Sequence, residues 1–211
     1  MTRRLAALAA LVLVAAPAGA QVPRLPVFNN GVPRGIQVAG DVGFPSTAAG
    51  GGETYAASGA LGLGLLGFTA TLGSTTPDGG SAAAVYGGTA NLRIIGGPLV
   101  PFFVNLQGGV GYADLEGAGT THVPLGVGLG LTIPLPIFGL KPWFAPRWDY
   151  TSVSLPGGTS TDASAFAYSA GVDVAFIIGL GLRVAYDWVD HDVGGEKPNV
   201  WSVGAKWSFG P

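Results

Sequence analysis

Hydrophobic and polar positions alternate along much of the chain, and the segment LGLRVAYDW (residues 180–188) shows the pattern most clearly. Side chains of a β-strand point alternately to its two faces. As a strand, this segment puts Leu182 and Val184 on one face and Arg183 and Asp187 on the other. A soluble sheet turns such a charged face to water, whereas a transmembrane barrel turns the apolar face to lipid and the polar face inward.

Ten stretches share this alternation or a strong β composition, and each is close to the ~9–11 residues that a tilted strand uses to cross a bilayer. The predicted strands cover residues 35–44, 54–64, 67–75, 83–94, 101–113, 122–133, 142–153, 164–176, 181–190 and 199–209. Short or apolar connections such as LLG and IGLG alternate with longer polar ones such as PSTAAGGGE, ADLEGAGTT and HDVGGEKP. This alternation is typical of transmembrane barrels, with short periplasmic turns and long external loops. An even number of strands then places both termini in the periplasm.

The composition favours the membrane arrangement. Hydrophobic residues make up 48% of the chain and charged residues only 10%, against the ~25% charged residues usual in soluble domains. Beyond the first twenty residues, Gly, Pro, Ser or Thr interrupts every apolar run before it reaches the ~18 residues of a spanning helix. A closed all-β, antiparallel up-and-down barrel is the other structure that satisfies its backbone inside a bilayer. The chain has no cysteine, which argues against disulfide, zinc or thiol chemistry.

The first residues, MTRRLAALAALVLVAAPAGA, predict a secretory signal peptide over residues 1–20, because a basic start precedes a short apolar run and a small-residue cleavage site. Residues 21–34 carry prolines and an Asn-Asn-Gly turn signal, which predicts an irregular segment. Residues 35–211 form the predicted barrel domain.

Charged residues within the predicted strands fall on the face opposite the apolar one. They are four acids and four bases: Asp41, Arg93, Arg147, Asp149, Asp173, Arg183, Asp187 and Lys206. Matched charges can pair inside a small barrel whose interior is filled by side chains. We therefore predict a plugged interior with a structural or surface-interaction role, with a narrow porin-like channel for small solutes as the alternative.

The segments PFFVNLQGGVGY, GLGLRVAYDW and NVWSVGAKWSF resemble those of small outer-membrane barrels of the OmpA/OmpX type. The resemblance implies an outer-membrane location, lipids and lipopolysaccharide as neighbours, and insertion by the barrel-assembly machinery. That family commonly has eight strands, so eight is the alternative to a count of ten. The last segment is similar to a C-terminal recognition strand, except that Gly210 and Pro211 follow Phe209. Pro146 falls inside a predicted strand, where its missing donor predicts a bulge.

Asp190, His191 and Asp192 are the one group of side chains that suggests catalysis, since rim-located outer-membrane proteases use acidic and Asp/His pairs. Adjacent strand residues point to opposite faces, so these residues would need a partner from another loop, and His122 is the only other histidine. We therefore predict no enzyme, with a rim protease as a further alternative. The sequence holds no motif for binding a cofactor and no phosphate-binding loop. An acidic net charge without a basic patch disfavours nucleic-acid binding.

The predicted external loops and their rims are acidic, whereas Arg24, Arg34 and Lys141 are predicted on the periplasmic side. The loops and rims hold one base, Lys197, and eight acids: Glu53, Asp78, Asp114, Glu116, Asp162, Asp190, Asp192 and Glu196. Carboxylates are the hard oxygen ligands that calcium and magnesium prefer. Asp190, Asp192 and Glu196 are therefore candidates for a divalent cation site, and solvated loop residues are the alternative.

Overall fold

A computed structural model describes residues 22–97, 100–115, 117–155, 158–191 and 195–209. The predicted signal peptide lies outside these residues. The described chain forms eleven antiparallel strands and a short 3₁₀ turn at Thr47–Ala49. The strands are β1 Gly35–Pro45, β2 Glu53–Leu63, β3 Leu66–Thr76, β4 Ala83–Gly97, β5 Val100–Leu115, β6 Ala118–Leu131, β7 Ile133–Pro134, β8 Phe138–Ser154, β9 Ser160–Phe176, β10 Leu180–Val189 and β11 Asn199–Phe209.

The strands close into a barrel because the sheet has no free long edge. Each long strand pairs with its chain neighbours, β1 pairs with β11 and β6 pairs with β8. The two-residue β7 only extends the pairing on β8. The described residues thus form a barrel of ten long strands, which confirms the predicted fold and rules out the alternative of eight.

The two faces of the barrel wall have opposite polarity, as β10 illustrates. Leu182 and Val184 are 50% and 47% exposed on the outside, whereas Arg183 and Asp187 are 6% and 5% exposed in the lumen. Leucine, isoleucine, valine and aromatic side chains on the other strands continue the exposed apolar surface. Such an outer surface suits lipid and not water. No helix in the described part of the chain is long and apolar enough to cross a membrane.

The connections define the two ends of the barrel. We call the end with residues 64–65, 135–137 and 177–179 the short-turn end, and the end with residues 46–52 and 190–198 the long-loop end. The predicted loop ADLEGAGTT is largely strand, because β5 and β6 continue to Leu115 and from Ala118. Strands of this length extend past the ~9–11 residues needed to cross the bilayer, so polar residues continue the wall beyond the membrane.

Pro146 lies in β8 without the predicted bulge. The register to β9 runs unbroken through Pro146 and Tyr168, and the register to β6 is the same on both sides of the proline. Pairing with β6 is interrupted opposite Pro146, between Gly126 and Leu129, because proline has no N–H to donate. The bulge prediction is wrong because the strand omits the hydrogen bond without inserting a residue. Register shifts occur instead between β4 and β5, at Arg93 and Ile95.

Residues 22–34, which we call the lumen segment, run through the inside of the barrel. Val22 packs with Ala113 near the long-loop end, and Pro33 lies against Gly62 and Gly67 at the short-turn end, where β1 begins. The segment is irregular, as predicted, yet much of it is buried. Val22 therefore lies at the opposite end of the barrel from Phe209. The segment thus adds one passage through the lumen to the ten in the wall. The location of both termini in the periplasm stays a prediction, because residues 1–21 and 210–211 lie outside the described residues.

Candidate functional site: the barrel lumen

Side chains of the wall hold the lumen segment along its length. Asp187 Oδ2 accepts a hydrogen bond from the Val27 N–H at 3.1 Å, and the amide of Gln107 donates to the Phe28 carbonyl oxygen at 3.1 Å. Asn105 donates to the Asn29 side chain. These bonds satisfy buried backbone and amide groups that would otherwise be costly in a dry interior.

Phe28 anchors the middle of the lumen segment by aromatic contacts. Its ring centroid lies 3.8 Å from the Arg183 guanidinium carbon and 6.4 Å from the Trp143 ring, which it meets edge-on. A guanidinium over a ring face is attracted by the ring quadrupole, more strongly where water is excluded. Phe103 and Trp143 point inward beside it and are buried. The lumen is thus filled at its middle by rings as well as by charges.

Arg147 is the centre of the largest ion-pair network. Its Nε donates to both oxygens of Asp149, at 2.8 and 3.0 Å, and its Nη1 and Nη2 donate to the two oxygens of Asp187, at 2.8 and 2.9 Å. Ser169 accepts from Arg147 at 2.6 Å and donates to Asp187 at 2.5 Å. His122 Nε2 lies 3.3 Å from Asp149 Oδ2. Two carboxylates that share one planar guanidinium are held in a fixed geometry.

The other predicted lumen charges form separate pairs. Arg183 donates to Asp41, with 2.5 Å between Nε and Oδ1, and Lys206 donates to Asp173. Arg93 donates instead to the carbonyl oxygen of Val32, at 3.1 Å. The structure therefore brings seven of the eight predicted charges into buried ion pairs, and the eighth holds the lumen segment.

Of the three bases predicted on the periplasmic side, Arg34 and Lys141 lie at the short-turn end and Arg24 lies at the opposite end. Lys141 is not in a periplasmic connection but in β8, where it shares the inward parity of Trp143 and Arg147. Arg24 lies at the long-loop end, where its Nη1 donates to the Ala49 carbonyl oxygen at 2.9 Å. Arg34 lies at the short-turn end, as expected. Extending the predicted strand 142–153 by one residue would have placed Lys141 on its inward face, whereas no local pattern signals the position of Arg24.

The loop residues considered for catalysis or cation binding do not converge in the described part of the chain. Asp190 forms an exposed ion pair with Lys197, and His191 and Glu196 are exposed. Asp192 lies outside the described residues. No group of three His, Cys, Asp or Glu side chains suitable for a metal is found among the residues that are described. The histidine that meets a carboxylate is His122, inside the lumen.

Cavities remain at both ends of the lumen, with little space between them. A cavity of about 260 Å³ lies at the long-loop end beside His122 and Asp149, and another of about 370 Å³ lies at the short-turn end beside Lys141. Between them, the space beside Asn30 and Asp41 is about 70 Å³. We call the two end cavities the long-loop vestibule and the short-turn vestibule.

This geometry defines the chain as a barrel of the small outer-membrane type, which confirms the resemblance to OmpA/OmpX-like barrels at the level of fold. No family model and no curated protein matches the chain. Among solved structures, the β domain of the Bordetella autotransporter BrkA aligns with a TM-score of 0.54 at 15% identity, over 82% of this chain and 98% of that one. The translocator domain of the autotransporter NalP from Neisseria meningitidis aligns at 0.43 and 14% identity, over 86% and 90% of the two chains. The KdgM porin aligns at 0.46 and 7% identity, over 82% and 99%.

Proposed function

We propose that the protein is an integral outer-membrane barrel whose lumen is closed by its own N-terminal segment, and that its role is structural or surface-interacting. The observation that carries this proposal is the lumen segment, which separates the two vestibules. The space found between the vestibules, beside Asn30 and Asp41, is only about 70 Å³. That space holds a few water molecules, so we expect it to exclude the hydrated solutes that a porin carries.

The closure is supported by buried bonds that solutes would have to break. Displacing the segment would leave the Gln107 amide without its hydrogen bond to the Phe28 carbonyl oxygen. The Asn105 amide and Asp187 Oδ2 would each lose one of their hydrogen bonds. Each buried polar group left unsatisfied costs about 1–3 kcal/mol. These costs add to the loss of packing around Phe28, so the closed lumen is favoured over an open one.

The orientation belongs to the same proposal. Transmembrane barrels carry their longer loops on the outside, so the long-loop end faces the exterior. The described acids Glu53, Asp78 and Glu196 are exposed at that end. An acidic rim attracts cations and repels anions over about one Debye length, ~10 Å at 0.1 M salt. Divalent cations that bridge these carboxylates to lipopolysaccharide phosphates are the surface contact we propose.

Single-channel recording in planar bilayers tests the closure. The full chain should give no steady conductance at moderate voltage, whereas a variant lacking residues 22–33 should give discrete conducting steps. The double variant Asn29→Ala and Asn30→Ala only weakens the attachment of the lumen segment to the barrel wall, so it should give brief openings. Lys197→Met, at the exposed pair with Asp190, is the matched control and should behave like the full chain. Steady conductance of the full chain would support the porin-like alternative instead.

A further inference from the structure

Basic side chains gather in the short-turn vestibule without a matching number of acids. The bases that line this cavity of about 370 Å³ are Arg34, Arg93, Lys141 and Lys206, and Asp173 is the one acid among the described residues that line it. Arg34 is exposed at the rim, whereas Lys206 is buried. The vestibule therefore has a formal excess of three positive charges.

The single acid is already paired with one of these bases. Asp173 Oδ2 accepts hydrogen bonds from Lys206 and from the Asn30 amide, the latter at 2.7 Å, whereas Oδ1 is buried and has no hydrogen-bond partner among the described residues. Lys141 is in none of the ion pairs found in the described part of the chain, and its Nζ lies 4.8 Å from the Phe103 ring centroid. A ring face attracts a cation but does not neutralise it.

The middle of the lumen shows the opposite arrangement. Arg147 is matched there by Asp149 and Asp187, and Arg183 is matched by Asp41. Unmatched charges of one sign repel each other more strongly where the surroundings exclude water. A barrel that pairs its charges so closely elsewhere thus leaves one cavity with uncompensated positive charge.

The lumen segment also keeps this cavity open. Gly31 has a φ of 98°, a left-handed conformation that favours glycine, and a Cβ at this position would lie 3.2 Å from Lys141 Nζ. A side chain on residue 31 would therefore crowd the ammonium group. The glycine leaves the ammonium accessible from the vestibule.

We propose that the short-turn vestibule binds a phosphate group, with Lys141 and Arg93 as its main donors and Lys206 and Arg34 as flanking charges. Guanidinium and ammonium groups form strong charge-assisted hydrogen bonds to phosphate oxygens, and the planar guanidinium can bind two oxygens at once. The phosphate can belong to a soluble compound or to a lipid headgroup at the rim. This inference goes beyond the proposed closure, because a ligand can occupy one vestibule without passing through the lumen.

Calorimetric titration of the full chain with inorganic phosphate, in a detergent with a sugar headgroup, tests the site. Wild type should bind phosphate, and Lys141→Met should bind it about tenfold more weakly or worse, since one charge-assisted hydrogen bond to the phosphate is lost. Lys197→Met removes the same charge at the other end of the barrel and should bind like wild type. Lys141→Met should also unfold at a higher temperature than wild type without phosphate, because one repelling charge is gone.

A second titration, with a short-chain phosphatidylglycerol, distinguishes the two sources of phosphate. If the lipid binds in a Lys141-dependent way and inorganic phosphate does not bind, the site belongs to a lipid headgroup. Binding of both, with competition between them, would assign it to the phosphate group alone. The proposal is overturned if neither probe binds, if Lys141→Met binds both like wild type, or if sodium chloride at equal ionic strength reproduces the signal. Because these measurements do not involve conductance, they can fail while the proposed closure stands.

Discussion

Replacing Arg147 by methionine should destabilise the barrel more than any change to a surface charge. Methionine keeps much of the apolar stem but removes the hydrogen bonds to Asp149, Asp187 and Ser169. Among the described residues, Asp187 would keep Ser169 and the Val27 N–H, and Asp149 would keep only His122. Removing one partner of a buried ion pair costs about 3–5 kcal/mol because the other charge stays buried. We expect a loss in that range for the Arg147 network.

Urea unfolding in lipid vesicles, followed by tryptophan fluorescence, measures this loss. The triple variant Arg147→Met, Asp149→Asn and Asp187→Asn removes the uncompensated charges together and should recover a large part of the stability. Lys197→Met breaks an exposed pair, for which little change is expected. If Arg147→Met unfolds at the wild-type urea concentration, the guanidinium is solvated and the description of a filled lumen is wrong.

Three further predictions follow from the same structure. Arg183→Met should lower the urea concentration at the unfolding midpoint, since it leaves Asp41 unpaired and removes the contact with Phe28. An unchanged midpoint would contradict the buried pair of Arg183 and Asp41. Gly128→Val should loosen the lumen segment, because a side chain at residue 128 would overlap Asn29. Faster protease cleavage near Asn29 would show this loosening, and cleavage at the wild-type rate would contradict the contact. Divalent cation binding by the loop carboxylates stays a prediction: millimolar calcium should slow protease cleavage in residues 190–198, and no calcium effect would leave only solvated loops.

The wall of the barrel could be predicted from the sequence because strand parity is a local property. Each strand needs only its own alternation to be recognised, and the inward position of Asp187 follows from that of Arg183. The pairing of the charges could not be predicted in this way. Register places Arg183 beside Asp173 on the neighbouring strand, yet it pairs with Asp41 on β1, two strands away. Asp173 pairs instead with Lys206 and Asn30, which both donate to its Oδ2.

The lumen segment could not be located from its sequence. Its prolines interrupt any periodicity, so residues 22–34 predict only an irregular chain. Its contacts are distant in sequence, since Val27 bonds to Asp187 across 160 positions. The sequence did not predict that Lys141 lies in a strand, for a different reason. The prolines of PLPIFGLK suggest a connection, whereas β8 begins within it, at Phe138.

The passage of the lumen segment changes what the two ends of the chain can be used for. Ten strands alone would return the chain to the side on which β1 begins, but the described residues traverse the barrel eleven times, ten times in the wall and once along the axis. An epitope joined before Val22 would therefore emerge among the long loops, and one joined after Phe209 would emerge among the short turns. The scaffold thus offers attachment points on two opposite faces of the barrel without an insertion into any loop.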